Sequence, residues 1–446
     1  MTAVTTVAGL DALAPTDRSA EGRERARSDR SGWSPDGLPD AVVRPDSVDQ
    51  VQQVVRWAAA HRVPLVPRGA GTGLTGGAAA APGQVVLDLS GLDAIESLDP
   101  GARTAVVQPG VILADLDRAA AAHGLRYVPD PGSVAIASIG GTIATNAGGL
   151  RCARHGGTRE AVAGLDVVLA DGSLLRTGTS GARSVTGYDL TSLFVGSEGT
   201  LGVVVRATVR LQPLPVATAT VTALFPDVAT AAHAVATVLA AGPVPPTLEL
   251  LDHATLAAVD PALADRGGAF LLVQTEGAPA LAEATALAGL LRGTALEVDV
   301  TDDPVRAERL LATRRDALPA VQRHGRVLIE DVSVPPAALA EAITGIEAIA
   351  DRTGVRVFTF AHAGAGVIHP LVLTDDGEIT PRVRETVDAI VALALRLGGT
   401  LTGEHGIGAL KRHWLPDELD PVARTTLHRI KAALDPAGVL NPGKAI

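Results

Sequence analysis

The sequence predicts a two-domain α+β protein, and three observations carry that expectation. Its 446 residues are enough for two or three domains. Glycine-dense loops between short strands dominate residues 40–213, and the texture changes after LQPLP at 211–215. Beyond that point strand-like pieces (TATVTALF, AFLLVQTE, ALEVDV, VLIEDVSV, VRVFTFAH) alternate with alanine-rich helical pieces, as in a sheet covered by helices on one side. The expected bounds are an irregular arm over 1–39, a first domain over 40–213, a second over 214–400, and a C-terminal segment, 401–446, that returns to the first.

Composition narrows the function. The chain is 47% hydrophobic but only 2% aromatic, so its cores are built from Ala, Val and Leu. A formal charge of −11 with no long basic stretch argues against nucleic acid as a partner. The arginines of EGRERARSDR at 21–30 alternate with acids and read as a solvated segment. A single cysteine, Cys152, excludes an internal disulfide and fits a reducing compartment. MTAVTTVAGLDALAPTDRS lacks the basic start and apolar core of a signal peptide. No apolar run approaches the roughly 18 residues of a membrane span. The expected location is cytoplasmic.

Along the first domain, SVDQVQQVVRWAAAH at 47–61 places Val51, Val54, Val55, Ala58 and Ala59 on one helical stripe behind a Ser47 cap. A short strand, VPLVPR, follows, and then PRGAGTGLTGGA at 67–78. Inside it, Gly71-x-Gly73-x-x-Gly76 has the spacing that opens a dinucleotide-binding βαβ unit. The exit side does not fit. Four alanines and Pro82-Gly83 lead straight into QVVLDLS, which alternates like a strand, with no room for the crossover helix that parallel pairing would need. The glycines therefore join strand to strand, and what survives is a loop of bare backbone N–H groups, an anion nest. In the second domain, PPAALAEAITGIEAIAD puts Leu339, Ile343 and Ile346 on one helical face, with Pro335-Pro336 at its start.

Three further stretches share this glycine density: PDPGSVAIASIGGTIATNAGG at 129–149, GGTRE at 156–160 and FVGSEGTLGVV at 194–204. Glycine is useful where backbone must approach a ligand closely. Together the four loops would line a long cleft for an extended, phosphate-bearing ligand.

PRGAGTGLTGGA, PDP…IGGTIATNAGG, GYDLTSLFVGSEGTLGVV, GEHGIG and LNPGK, in this order, resemble the FAD-dependent 2-hydroxyacid dehydrogenases and oxidases of the vanillyl-alcohol-oxidase fold. The similarity is to the glycolate oxidase flavoprotein subunit and the D-lactate dehydrogenases in particular, and runs from about residue 28 to the end. It implies a PCMH-type FAD-binding domain plus an α+β, ferredoxin-like, substrate-binding cap domain. It assigns Arg68, Gly69, Ala70, Gly71, Thr72, Gly73 and Gly77 to the FAD pyrophosphate. Pro129, Asp130, Ser133, Gly140, Gly141, Asn146, Ala147, Gly148 and Gly149 would run along the flavin and its ribityl chain. Glu198, Gly199 and Val203 would sit by the adenine-side and central parts, with Asn441 closing the site. Some members of the fold tether the flavin through a histidine where this chain has Thr72, so non-covalent FAD is expected.

His362 and His369, in FAHAGAGVIHPL, flank Gly364 and Gly366, which read as a hairpin turn setting the two imidazoles across from one another. With Glu404, in LTGEHGIG, they supply the two-His, one-carboxylate set that leaves a zinc-like ion an open position. By spacing alone two ordinary histidines are the simpler reading. The resemblance makes His362, His369 and Glu404 the ligands of zinc or another divalent metal, and His405 the catalytic base, a role that suits an imidazole. The family writes His-x-Gly-Asp-Gly-Asn-x-His between the first two ligands, whereas Ala365 and Val367 stand at the Asp and Asn positions here. Losing two polar neighbours would loosen the ligands.

Arg314, in LLATRRDALPAV, matches a family arginine that holds the substrate carboxylate by its guanidinium fork, while adjacent Arg315 reads as solvated. Arg68, Arg151 and Arg154 lie near the flavin loops and compete for a place beside the ring. Members that take a second carboxylate carry a lysine where this chain has Ile329, two before Asp331, which argues against a dicarboxylic substrate. Cys152 reads as a packed thiol and LTDDGE at 373–378 as a turn. The implied activity is oxidation of a short D-2-hydroxyacid, D-lactate or glycolate, to the 2-oxoacid, with hydride passing to flavin N5. The alternatives are a non-catalytic or partner-dependent subunit of a glycolate oxidase complex, an FAD alcohol oxidase of the same fold, and a metal hydrolase that leaves the glycine loops unexplained. Quinone, cytochrome, electron-transfer protein and oxygen stay open as electron acceptors, and a homo-oligomer is allowed.

Overall fold

A computed structural model describes residues 7–179 and 185–446. The chain forms two compact units. The first takes the chain up to Ala147, Gly157–Leu214 and His405–Ile446; the second takes Gly148–Gly156 and Pro215–Glu404. Relative to the bounds read from the sequence, 148–156 and 401–404 move into the second unit. The reason is that Cys152–His155 packs against Thr247–Asp252 and Ala363–Ala365, while the amides of Gly403 and Glu404 donate to Asp331.

In the first unit Ser47 caps the helix Val48–His61 by accepting from Gln50 N, and Val51, Val54, Val55 and Ala58 are fully buried. Each such valine contributes on the order of 1.5–3 kcal/mol over the exposed side chain. They cover a four-stranded sheet ordered Thr16–Asp17, Ala41–Val43, Val85–Asp88, Leu65–Arg68. Two expectations are corrected here. The N-terminal arm is not irregular: Thr16–Asp17 pairs with Val42–Val43, and Ala20–Arg27 is a helix capped by Ser19. Leu65–Arg68 and Val85–Asp88 run parallel although no helix joins them. The loop 69–84 itself supplies the dozen or more residues that a parallel crossover requires.

A second, five-stranded sheet is ordered Ile95–Asp99, Thr104–Val107, Val203–Arg210, Val162–Val168, Leu174–Arg176. The C-terminal segment completes this unit. Leu65 N donates to Val439 O and Asn441 N to Leu65 O, while Ile430 and Leu434 pack on the core of the second sheet.

The second unit is built on an eight-stranded sheet. Its main path runs Glu297–Thr301, Thr218–Phe225, Ala269–Glu276, Thr247–Asp252, Val357–His362, Val367–Leu373, Val327–Ile329, all antiparallel. The central strands are buried on both faces, so helices cover both sides and not the one expected. Leu339–Thr353 does form a helix, with Leu339, Ile343 and Ile346 buried, and it packs with Val228–Ala241 and Pro381–Arg396. The opposite face bears Leu224, Phe270, Leu251, Phe358, Phe360 and Leu371, which meet His253–Val259, Pro304–Arg315 and Ala317–Gln322. Among the described residues no helix is long and apolar enough to cross a membrane.

Candidate functional site

In the first unit the glycine loops are shaped by close backbone approach. A Cβ on Gly69 would lie 2.2 Å from Ser138 Oγ, and one on Gly140 would lie 2.6 Å from Pro109 Cβ. Gly71 has φ +68°, a left-handed conformation, and a Cβ there would meet the Arg68 guanidinium at 2.2 Å. Ser138 Oγ accepts from Ala70 N and Gly141 N, tying the first loop to the helix Ile139–Thr145. Ala70 is exposed and Thr72 and Gly73 stay partly exposed along this loop, as does Ser133 in the second, whereas Pro129 and Asp130 are buried.

Several residues that the resemblance gave to FAD also have structural duties. Arg68 donates to the carbonyls of Ser28 (2.8 Å) and Ala78 (3.3 Å), pinning the N-terminal arm to the loop. Asn146 ends its helix at φ +54° and accepts from Arg159 N, and Ala147 O accepts from Thr158. Gly199 is left-handed at φ +71°, where a Cβ would lie 3.0 Å from Pro67 Cγ, and Val203 is buried in the core of the first sheet. Asn441 Nδ2 donates to Gly77 O (3.0 Å) and Glu198 O (2.7 Å). Its Oδ1 is buried without a hydrogen-bond partner among the described residues, so a ligand hydroxyl or amide would satisfy it. Bare amide loops plus this oxygen fit a dinucleotide.

Glu198 is buried and accepts from Ile407 N and Gly408 N, each at 2.8 Å. Burial pushes its carboxyl up to about 7, against the pull of these two amides and Lys444. Lys444 donates to Gly76 O and Ala79 O at 2.9 and 2.8 Å, so the C-terminus grips the first glycine loop. A carboxyl raised from 4.5 to about 7 holds an extra proton in the folded state between those values. Its contribution to stability therefore falls as pH rises through that window, by at most about 1.4 kcal/mol per unit. Melting temperatures of Glu198→Gln should decline less steeply from pH 4.5 to 7 than those of the parent. Parallel declines would refute this.

The second unit gathers the predicted metal ligands. Strand register sets Phe360 opposite His369 and Glu249 opposite His362, which puts Glu249, His362 and His369 on one face. The hairpin expected between the histidines is present, turning through Ala363–Ala365 and a left-handed Gly366. The two imidazole rings are 5.1 Å apart and perpendicular at 86°. Both Nε2 atoms approach Glu404 Oε1, at 3.3 Å from His362 and 3.2 Å from His369. The ligand atoms of all three lie within 4.8 Å of one another. Burial favours the neutral form of Glu404, but the two imidazoles outweigh it and hold the carboxyl well below its usual range. Burial likewise opposes charge on His362, yet Glu249 and Glu404 outweigh it and hold the ring up at about 9. A site that stabilises positive charge between two nitrogens and an oxygen fits a divalent cation.

Glycines crowd this centre. A Cβ on Gly148 would lie 2.5 Å from Glu404 Oε2, one on Gly403 2.7 Å from Val367 Cγ1, and one on Gly364 2.8 Å from Ala153 Cβ. Gly148 and the adjoining Gly149, read from the sequence as flavin contacts, thus lie in the unit that carries His362, His369 and Glu404. The Cys152 thiol is pushed up to about 12 by burial and then by Glu404 and Glu249, which keeps it protonated, a packed thiol.

Arg314, at the end of the helix Pro304–Arg315, is buried. Its Nε donates to Glu249 Oε2 at 2.6 Å and its guanidinium stacks 4.0 Å over Phe360. Neighbouring Arg315 pairs with exposed Glu308 on the surface, consistent with its solvated reading.

The GEHGIG segment is held by two buried carboxylates. Asp331 Oδ2 accepts from Gly403 N (2.6 Å) and Glu404 N (2.7 Å) in the second unit. Glu198 takes Ile407 and Gly408 in the first, where His405 O also accepts from Thr75 Oγ1 at 3.3 Å. The chain passes from one unit to the other at the 404–405 peptide, between the predicted ligand and the predicted base. Sequence reasoning missed Glu249 and Lys444 and gave Asp331 no supporting role. The available signal was an acid inside an otherwise apolar strand, as in TLELLD, since a buried carboxylate demands partners.

Residues 39–178 match the FAD binding domain family, and residues 214–445 match the family of FAD linked oxidases, C-terminal domain. The chain is 40% identical over 417 residues to the glycolate oxidase subunit GlcD of Bacillus subtilis, covering 91% of this chain and 89% of that protein. It is 35% identical over 411 residues to the D-lactate dehydrogenase of Archaeoglobus fulgidus, covering 91% of each. The structure of p-cresol methylhydroxylase with substrate bound superposes with a TM-score of 0.81 at 19% identity, over 99% of this chain and 96% of that one. At that identity the match concerns the fold.

Proposed function

The chain belongs to the FAD-linked oxidases of the glycolate oxidase and D-lactate dehydrogenase type, and from that premise we propose that it oxidises a short D-2-hydroxyacid monocarboxylate, D-lactate or glycolate, to the 2-oxoacid. The observation that carries the reading is the burial of Arg314 in the unit that also brings His362, His369 and Glu404 together. A 2-hydroxyacid offers a carboxylate and an adjacent hydroxyl, which calls for one guanidinium and one group that favours alkoxide character.

Residues of the glycine loops at 69–77 and 129–149, with Asn441, would hold FAD; His362, His369 and Glu404 would hold a divalent ion. Bound, the flavin supplies an acceptor for an electron pair, and the ion supplies positive charge beside the hydroxyl. Arg314 has its Nε committed to Glu249, so its Nη edge would take the substrate carboxylate in a bidentate pair. His405 would take the hydroxyl proton on its ring.

An anaerobic stopped-flow screen tests this. Flavin absorbance should bleach with D-lactate or glycolate and not with L-lactate, 2-hydroxyglutarate or simple alcohols, and acid precipitation should release all the flavin from the polypeptide. Bleaching by an alcohol and not by any hydroxyacid would overturn the substrate class. The names of several relatives describe a subunit, which favours a second reading, a chain that needs a partner. That reading predicts bleaching in a single turnover without steady-state turnover.

A further inference from the structure

We propose that Glu249 is a positioning residue that ties the imidazole of His362 to the guanidinium of Arg314, so that one carboxylate sets both the metal pocket and the substrate anchor. The proposal rests on the metal and substrate reading above. Glu249 is completely buried in the strand Thr247–Asp252, and a carboxylate there is tolerated only with close partners. It has two. His362 Nδ1 lies 2.9 Å from both carboxylate oxygens, and Arg314 Nε lies 2.6 Å from Oε2.

An ionised carboxylate only accepts, so Nδ1 must be the donor, and it is Nε2, facing Glu404, that would give up its proton and offer a lone pair to an ion. On the other side, the Nε bond and the stacking over Phe360 fix both the direction and the plane of the guanidinium. That leaves the Nη edge as the one that can meet a carboxylate. Val367, paired opposite His362, and Ala365 have apolar side chains and give the ligand loop no polar support of the family kind. Glu249 gives His362 such support from the neighbouring strand.

The test uses flavin-loaded Glu249→Gln and Glu249→Asp, the latter keeping the charge on a shorter stem. Zinc affinity is measured by competition with a chelating dye, and oxalate affinity by calorimetry with and without zinc. Glu249→Gln should bind zinc about 10–100-fold more weakly and oxalate at least roughly fivefold more weakly, with the same flavin content. Glu249→Asp should fall between, and it decides alone if Glu249→Gln does not fold. A lower melting temperature with both affinities unchanged would reduce Glu249 to a structural role and overturn the proposal. Weaker zinc with unchanged oxalate would equally overturn the tie. If the parent itself binds no zinc, the metal reading fails, and the oxalate arm still supports or refutes the hold on Arg314.

Discussion

His405→Ala should leave a yellow protein whose flavin bleaches with substrate about 10²–10⁴-fold more slowly, the range for loss of a general base. The backbone around position 405 is held by hydrogen bonds in which the imidazole takes no part. Gly403 and Glu404 are fixed by Asp331, Ile407 and Gly408 by Glu198, and His405 O accepts from Thr75. Truncation should therefore remove the proton acceptor without unfolding the segment, and melting temperature and flavin content should stay near those of the parent. The rate should recover partly at high pH, where hydroxide replaces the lost base. Bleaching at the parent rate near neutrality would remove His405 from the mechanism.

Glu404→Gln should have the next largest effect. The carboxylate is the meeting point of both imidazole Nε2 atoms, and its charge is stabilised strongly enough to keep it ionised far below neutrality. An amide there presents a weaker donor and no charge, leaving two neutral imidazoles, which hold a divalent ion poorly. Metal analysis should show bound ion dropping from near one equivalent to a small fraction, with flavin reduction slowed by about 10²-fold or more. Flavin content should not change. Gly148→Ala should act the same way to a smaller degree, because its new methyl would stand 2.5 Å from Glu404 Oε2. Full metal occupancy and parent-like bleaching in Glu404→Gln would dismiss the ligand assignment.

What neighbours along the chain encode was legible. Ser47 and the Val51–Ala58 stripe announced the helix Val48–His61, and the glycines between His362 and His369 announced the hairpin. Both depend on residues a few positions apart. The direction of Val85–Asp88 relative to Leu65–Arg68 was misjudged because a missing helix was taken to forbid parallel pairing, while length alone was enough. The N-terminal helix was missed because its sequence, AEGRERAR, is polar on nearly every face and is held by capping and by its place beside the sheet.

By itself the sequence determined the division into two domains, the glycine loops where main chain comes close to neighbouring atoms, and the set of histidines and acids available for chemistry. Only the tertiary structure decided that Glu249 meets His362 from 113 residues away and Arg314 from 65, and that Gly148 borders Glu404. Local propensity acts over one or two turns of chain. Strand register and helix packing join positions that have no sequence relation, and the burial of a charge is affordable only after those distant partners have arrived.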